Sequence, residues 1–236
     1  MSTEHGAYWR PTVNFERIFN VYSTHSRGMG MSPISCHVLV LAAGFGRRMR
    51  GTGDKLLQTV EGAPLLRTLA LRALASGRPV TITLPPGEDG AARRAALAGL
   101  EVTRVPVPDA AEGMAASIRA GVAALPASAA AVMIVPADMP ELTEDDLRRI
   151  ADAAEKPSDP PRVLRAIAAD GTPGHPVAFP RAAFPALAEL SGDHGARPVL
   201  SAWSENCETI ALPGRHAILD LDTPEAWAAW HAHHAD

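Results

Sequence analysis

The chain has 236 residues, a formal net charge of −4 and 47% hydrophobic residues, which suits one large domain with a substantial core. The charge provides no basic field, so we expect no nucleic-acid partner. No apolar run approaches the roughly 20 residues that span a bilayer, and the N-terminus lacks a signal-peptide core. We therefore expect a soluble, cytoplasmic protein with no membrane partner. Cys36 and Cys207 lack the spacing of a zinc or redox pair and are expected to be free.

The first part of the chain differs in composition from the rest. Both tyrosines, Tyr8 and Tyr22, lie there, and Met29 and Met31 are alternative start positions. We predict that residues 1–33 are an N-terminal extension. Three interpretations of it stay open: a flexible arm, an oligomer contact and a mis-assigned start. Residues 34–236 are predicted to form the functional domain.

Strand-like and helix-like segments alternate from residue 36 onward, which predicts an α/β fold. The expected architecture is a single Rossmann-like domain with a mostly parallel sheet flanked by helices. Ligands of such sheets bind beyond the carboxyl ends of the strands. The predicted strands are 37–41, 80–84, 102–105, 131–135 and 163–167, and the predicted helices are 65–75, 91–100, 114–125, 144–154 and 181–190.

A glycine-rich loop with several cations follows the first predicted strand. Gly44 and Gly46 allow a tight turn whose N–H groups can approach phosphate oxygens. Arg47, Arg48 and Lys55 add positive charge within reach of the same loop. A plain strand-to-helix turn with surface arginines is the alternative, but the added cations favour a clamp for a nucleoside triphosphate.

Two well-known phosphate loops are excluded by single residues. The dinucleotide fingerprint needs a third glycine where this chain has Met49. A P-loop needs Gly-Lys-Ser/Thr, and here Gly46 is followed by Arg47. A nucleotide site at this loop would therefore differ from both of these fingerprints.

Two acidic segments are candidates for metal binding. Asp138 follows the predicted strand 131–135 and could offer Mg²⁺ a carboxylate oxygen, although a turn aspartate is also common there. Asp222 and Asp220 precede a predicted C-terminal helix, where one could bind metal while the other, or Thr223, caps the helix. The residues alone leave these choices open.

Seven segments occur in an order that resembles the nucleotidyltransferases of molybdenum cofactor synthesis, most closely the cytidylyltransferases. The resemblance runs from about residue 34 to the end of the chain. The segments are LAAGFGRRM (41–49), DKLL (54–57), GMAASIRAG (113–121), PADMP (136–140), GHP (174–176), SGDHGAR (191–197) and DLDTPE (220–225).

The resemblance implies an Mg²⁺-dependent transfer of CMP from CTP to the phosphate of molybdenum-bearing molybdopterin, with release of pyrophosphate. A molybdenum hydroxylase that receives the cofactor is the implied protein partner. The implied roles are catalysis by Arg48 and Lys55; nucleotide binding by Leu41, Ala42, Ala43, Gly44, Gly46, Arg48, Lys55, Gly113 and Ser117; metal binding by Asp138 and Asp222; and acceptor binding by His175, Asp193 and Arg197.

The choice of CTP depends on two positions within the resemblance. Guanylyl relatives usually have glycine in place of Ala43, and they favour glycine in place of Leu56. One added methyl group could obstruct a larger purine. Two other functions remain open: nucleotidyl transfer to a sugar or polyol phosphate on the same fold, and a non-catalytic carrier of the finished cofactor.

Overall fold

A seven-stranded sheet forms the centre of the fold, in the order β5-β4-β1-β6-β8-β7-β9, and β2 and β3 form a separate hairpin. The computed structural model describes residues 36–45 and 53–234. In the large sheet only β8 runs against its neighbours, because β6 and β7 both pair with it in antiparallel fashion. The strands are β1 (Cys36–Leu41), β2 (Thr59–Val60), β3 (Ala63–Pro64), β4 (Val80–Leu84), β5 (Thr103–Pro106), β6 (Ala131–Pro136), β7 (Val163–Ile167), β8 (Pro173–Pro180) and β9 (Cys207–Ala211).

Helices cover both faces of this sheet. They are α1 (Leu65–Ala75), α2 (Ala91–Ala96), α3 (Met114–Ala123), α4 (Glu144–Ala154), α5 (Phe184–Ala188), α6 (Arg197–Ala202) and α7 (Pro224–His234). The described residues also form five 3₁₀ turns, at Lys55–Leu57, Gly87–Gly90, Ala110–Glu112, Arg181–Ala183 and Ser204–Asn206. Within the described ranges, no helix has the length and apolar character needed to cross a bilayer.

The core consists of two apolar layers separated by the sheet. Side chains alternate across a strand, so Val38 and Val40 of β1 join the layer under α1 and α4, while Leu39 joins the layer under α3 and α5. Both faces of β1 are therefore buried, which is typical of a central parallel strand. This arrangement confirms the predicted α/β fold with helices on both sides of a mostly parallel sheet.

The predicted elements agree closely with the structure at β4, β7, α1 and α4, whose bounds are identical to the predicted ones. The prediction of one helix over 91–100 was wrong, because α2 ends at Ala96 and the chain then turns through Gly99 at a φ of +76°. The predicted helix 181–190 is instead a 3₁₀ turn followed by the short helix α5. The predicted N-terminal extension lies outside the described residues.

Helix starts follow the expected capping chemistry. Thr143 and Asp146 form a reciprocal capping box at α4. Thr223 accepts a hydrogen bond from the Ala226 amide at the start of α7, at 3.2 Å. Thr223 therefore caps this helix, a role that the sequence left open among Asp220, Asp222 and Thr223. Cys36 and Cys207 are free, as expected.

Gly174 allows β8 to pass close to the segment that leads into the acidic motif. A Cβ atom at Gly174 would lie 1.8 Å from the carbonyl oxygen of Ala217. The neighbouring His175 amide donates to that same oxygen at 2.7 Å. Because the obstacle is backbone, a larger residue would have to move the whole segment.

We expect Gly174→Ala to lower the free energy of unfolding by about 1–3 kcal/mol through this overlap. Urea denaturation followed by circular dichroism would measure the change. Gly44→Ala is the matched control, since its added Cβ would meet no atom within 4 Å. Equal stability of the two variants would show that the Gly174 contact is not tight.

Candidate active site

Several of the predicted site residues that the structure describes gather at one edge of the sheet. The segment after β1 and Asp138 after β6 emerge at the carboxyl ends of two neighbouring parallel strands. Because β8 is antiparallel, its second and third residues, Gly174 and His175, lie at the same edge. The antiparallel strand thus brings the GHP motif to the loops that follow β1 and β6.

An ammonium group held between two carboxylates lies at the centre of this edge. The Lys55 Nζ is 2.6 Å from the Asp138 Oδ2 and 2.5 Å from the Asp222 Oδ1. The three side chains are only 13%, 18% and 20% exposed, respectively. Three motifs that are far apart in sequence are therefore joined by charge-assisted hydrogen bonds.

Backbone contacts fix the two acidic motifs next to each other. The Leu221 amide donates to the Asp138 carbonyl at 3.1 Å, which aligns the DLDTPE segment with the end of β6. On the other side, Asp54 caps the 3₁₀ turn that begins with Lys55, and the buried Leu56 anchors that turn in the core. Lys55 is thus held by folded structure on both sides.

The electrostatics of the triad favour a charged lysine. Burial by itself would lower the pKa of Lys55, but Asp138 and Asp222 outweigh it and raise the pKa above its ordinary value. Nearby Asp220 behaves differently: burial, together with Asp222 and Asp138, raises the pKa of its carboxyl group. The Lys55 ammonium therefore lies near three carboxyl groups, those of Asp138, Asp220 and Asp222.

The donor set suits a magnesium-type cation in a substrate complex. Mg²⁺ prefers oxygen ligands, and it is often held by one or two carboxylates together with water and substrate phosphates. Asp138 and Asp222 already face a common positive centre, the Lys55 ammonium. No group of three or more metal-binding side chains occurs within residues 36–45 and 53–234, so phosphate or water oxygens would have to complete the coordination.

The predicted nucleotide loop is described on both of its flanks. Ala42 and Ala43 are each 1% exposed, whereas Gly44 and Phe45 are exposed. Leu41 is the half-buried last residue of β1. Gly46 and Arg48, for which nucleotide binding and catalysis were predicted, lie outside the described residues.

Arg93 holds these two flanks together, and the sequence reasoning missed it. Its guanidinium group donates to the carbonyl oxygens of Ala42 and Gly44 at 2.6 and 2.8 Å. It also forms two hydrogen bonds to the Asp54 carboxylate, at 2.6 and 2.9 Å. Nothing in the local sequence of α2, where Arg93 follows two alanines, distinguishes it from a surface arginine.

Gly113 and Asp193 meet at the start of α3. The Asp193 Oδ1 accepts a hydrogen bond from the Met114 amide at 3.2 Å. Gly113 has a φ of +114°, and a Cβ there would lie 2.7 Å from the Asp193 Oδ1. The structure therefore brings a predicted nucleotide residue next to a predicted acceptor residue. Ser117, one turn further along α3, is only 5% exposed, and its nucleotide contact stays a prediction.

His175, a predicted acceptor residue, lies among charged neighbours. Burial and the positive charge of Arg165 lower the pKa of His175 to about 4; Asp138 opposes this effect and Arg197 adds to it. The His175 Nδ1 is buried and has no hydrogen-bond partner among the described residues. Arg165, whose Nε lies 3.3 Å from the Gly174 carbonyl oxygen, is a second residue that the sequence reasoning missed, because it occupies a strand.

The lowered pKa of His175 predicts a stability loss in acid. Between the ordinary value of 6.5 and about 4, the unfolded chain binds a proton that the folded chain does not, so stability falls as the pH decreases through this window. From pH 7 to pH 5, the free energy of unfolding should fall by about 2 kcal/mol more in the wild type than in His175→Gln. Urea denaturation at the two pH values measures this difference. Identical losses in both proteins would show that the imidazole is not held neutral by the fold.

Comparison with known proteins identifies a family whose model matches most of this chain. The model of the MobA-like NTP transferase domain matches residues 38–207. The bifunctional protein GlmU of Kineococcus radiotolerans is 34% identical over 137 residues, which cover 57% of this chain and 28% of GlmU. The chain therefore spans about a quarter of the length of that relative.

Solved structures show the same fold. Rv0371c from Mycobacterium tuberculosis H37Rv superposes with a TM-score of 0.68 at 29% identity, over 84% of this chain and 98% of the other. Its manganese complex gives a TM-score of 0.67 at 28% identity, over 83% and 97%. CMP:2-keto-3-deoxy-manno-octonic acid synthetase complexed with CTP shares the fold at a TM-score of 0.65 and 13% identity, over 85% and 98%.

Proposed function

Because the chain belongs to the family of MobA-like NTP transferase domains, we propose that it is a cytidylyltransferase that transfers CMP from CTP to the phosphate of molybdenum-bearing molybdopterin. Pyrophosphate leaves, and a molybdenum hydroxylase receives the finished cofactor. The observation that carries the proposal is the Lys55 ammonium held between Asp138 and Asp222 at the edge where the glycine loop begins.

In the proposed reaction, an oxygen of the acceptor phosphate attacks the α-phosphorus of CTP, and the bond to the β-phosphate oxygen breaks. Such a transfer depends mainly on positioning and on stabilising negative charge, and no covalent enzyme intermediate is required. A divalent cation held by Asp138 and Asp222 would replace the Lys55 ammonium between these carboxylates. It would supply charge neutralisation at the phosphates and allow Lys55 to contact them. The manganese complex of Rv0371c is consistent with such an ion.

Lys55 is proposed to act on CTP, the donor of the transferred CMP group. Its pKa is raised, so it carries a full positive charge at neutral pH. In the proposed complex it stabilises the charge that develops on the reacting phosphate oxygens. Arg48 is proposed to share this role from the glycine loop, where it lies outside the described residues.

The acceptor side is proposed to bind an anion. Arg165 and Arg197 both lie close enough to His175 to affect its pKa, and arginine is well suited to phosphate binding. The partnerless Nδ1 of His175 can form a hydrogen bond with a ligand. Asp193 is proposed to contact the acceptor from its position over the start of α3.

The preference for CTP is supported by the sequence resemblance and not by the predicted steric effect of Ala43. The Ala43 side chain is 1% exposed and packs in a small apolar cluster with Val107, Ala110 and Ala116. Its methyl group therefore packs into the protein and does not project toward an incoming base. Gly113 and Ser117 at α3 remain the proposed contacts of the nucleoside.

We expect Lys55→Met to lower turnover about 10²- to 10³-fold, because one preorganised donor to a developing negative charge is lost. The matched control is Lys156→Met, which removes the charge of an exposed lysine. Pyrophosphate release under saturating CTP and acceptor gives kcat for both variants. Unchanged turnover in Lys55→Met would remove Lys55 from the mechanism.

The proposed function is tested by pyrophosphate release from CTP, GTP, ATP and UTP with Mg²⁺, with and without molybdenum-loaded molybdopterin. Release confined to CTP plus molybdopterin is expected. A preference for GTP would overturn the choice of nucleotide, and turnover with methylerythritol phosphate alone would overturn the acceptor. Tight cofactor binding without any release would favour a carrier.

A further inference from the structure

Arg93 is a buried cation whose hydrogen bonds all reach the candidate nucleotide site. Only 4% of the residue is exposed. Its Nη1 donates to the carbonyl oxygens of Ala42 and Gly44, and its Nε and Nη2 donate to the two oxygens of Asp54. One guanidinium group thus joins the strand-β1 end of the glycine loop to the residue before Lys55.

These contacts use the features that distinguish arginine from lysine. A planar guanidinium group can bind a carboxylate through two parallel hydrogen bonds and still donate elsewhere, whereas an ammonium group is a compact point charge. A buried charge is also costly unless it is paired and hydrogen-bonded. Within the described part of the chain, Arg93 meets this requirement with acceptors from Ala42, Gly44 and Asp54.

The effect of Arg93 extends to Lys55 through Asp54. The Asp54 Oδ1 accepts a hydrogen bond from the Leu56 amide at 3.0 Å, so the carboxylate that binds Arg93 also caps the turn containing Lys55. Lys55 then contacts Asp138 and Asp222. Its place between the two carboxylates therefore depends on a chain of contacts that begins in α2.

A second arginine, Arg67, also donates to backbone carbonyl oxygens in this region. The Arg67 Nη1 donates to the carbonyl oxygens of Ala96 and Ala98 at 2.8 and 3.0 Å, at the end of α2. Both acceptors lie in the segment that closes the helix, and neither belongs to Ala42, Gly44 or Asp54. Arg67 is therefore a matched control for the loss of an arginine-to-carbonyl contact at α2.

We propose that Arg93 is a positioning residue, which fixes the Ala42 and Gly44 carbonyls relative to Asp54 and so holds these two ends of the glycine loop, and Lys55, in place for a nucleoside triphosphate. The proposal rests on the proposed nucleotidyl transfer for the identity of the ligand. Arg93 acts through the loop and does not contact substrate.

The test compares Arg93→Lys, Asp54→Asn and Arg67→Lys with the wild type. Hydrogen exchange without ligand reports loop order at the hydrogen-bonded amides of Ala42, Leu56 and Leu57. Calorimetry with CTP and Mg²⁺ reports nucleotide binding. Loss of charged hydrogen bonds should raise the dissociation constant about ten- to hundredfold in Arg93→Lys and Asp54→Asn and accelerate exchange at these amides. Arg67→Lys should leave both measurements unchanged.

Each outcome decides a separate claim. Faster exchange with unchanged CTP affinity would make Arg93 a purely structural residue and overturn the proposal, as would unchanged exchange. If Arg93→Lys fails to fold, Asp54→Asn still tests the Arg93–Asp54 ion pair. It changes the more exposed partner, since the Asp54 side chain is 23% exposed. A wild type that binds no nucleotide would overturn the proposed function, while hydrogen exchange would still decide whether Arg93 orders the loop.

Discussion

The ion-pair triad of Lys55, Asp138 and Asp222 is the interaction on which the arrangement of this site depends. Two partly buried carboxylates at one edge of a sheet repel each other, and a cation between them offsets that cost. Here the cation comes from a turn far away in sequence, and both of its contacts are 2.6 Å or shorter. The triad thereby joins three loops that the sheet only brings near one another.

The rest of the edge supports this centre from two directions. On the proposed nucleotide side, Arg93 ties the end of β1 to Asp54, which caps the turn carrying Lys55. On the proposed acceptor side, the reversed direction of β8 places His175 at the same edge, where the charges of Arg165 and Arg197 reach it. A mostly parallel sheet with one reversed strand can therefore bring groups from the ends of β1, β6 and β8 to one edge.

Sequence reasoning predicted the parts that depend on local patterns. Buried strands, capping residues and ordered motifs placed β4, α1 and α4 correctly and identified Lys55 and Asp138 as residues of one edge. It missed β8 as a strand, because prolines interrupt that segment, although its Val177 and Ala178 pair with both neighbouring strands. It also missed Arg93 and Arg165, whose importance comes from partners distant in sequence. Long-range pairing, more than residue type, decides such roles.

Electron paramagnetic resonance of Mn²⁺ in the presence of CTP tests the central claim most directly, because it measures cation binding at the acidic pair without requiring the acceptor. The account predicts a bound Mn²⁺ in the wild type, binding at least tenfold weaker in Asp138→Asn, and unchanged binding in Asp152→Asn, which alters a surface carboxylate paired with Arg78. A tenfold loss corresponds to about 1.4 kcal/mol. Equal Mn²⁺ affinity in wild type and Asp138→Asn would contradict the account.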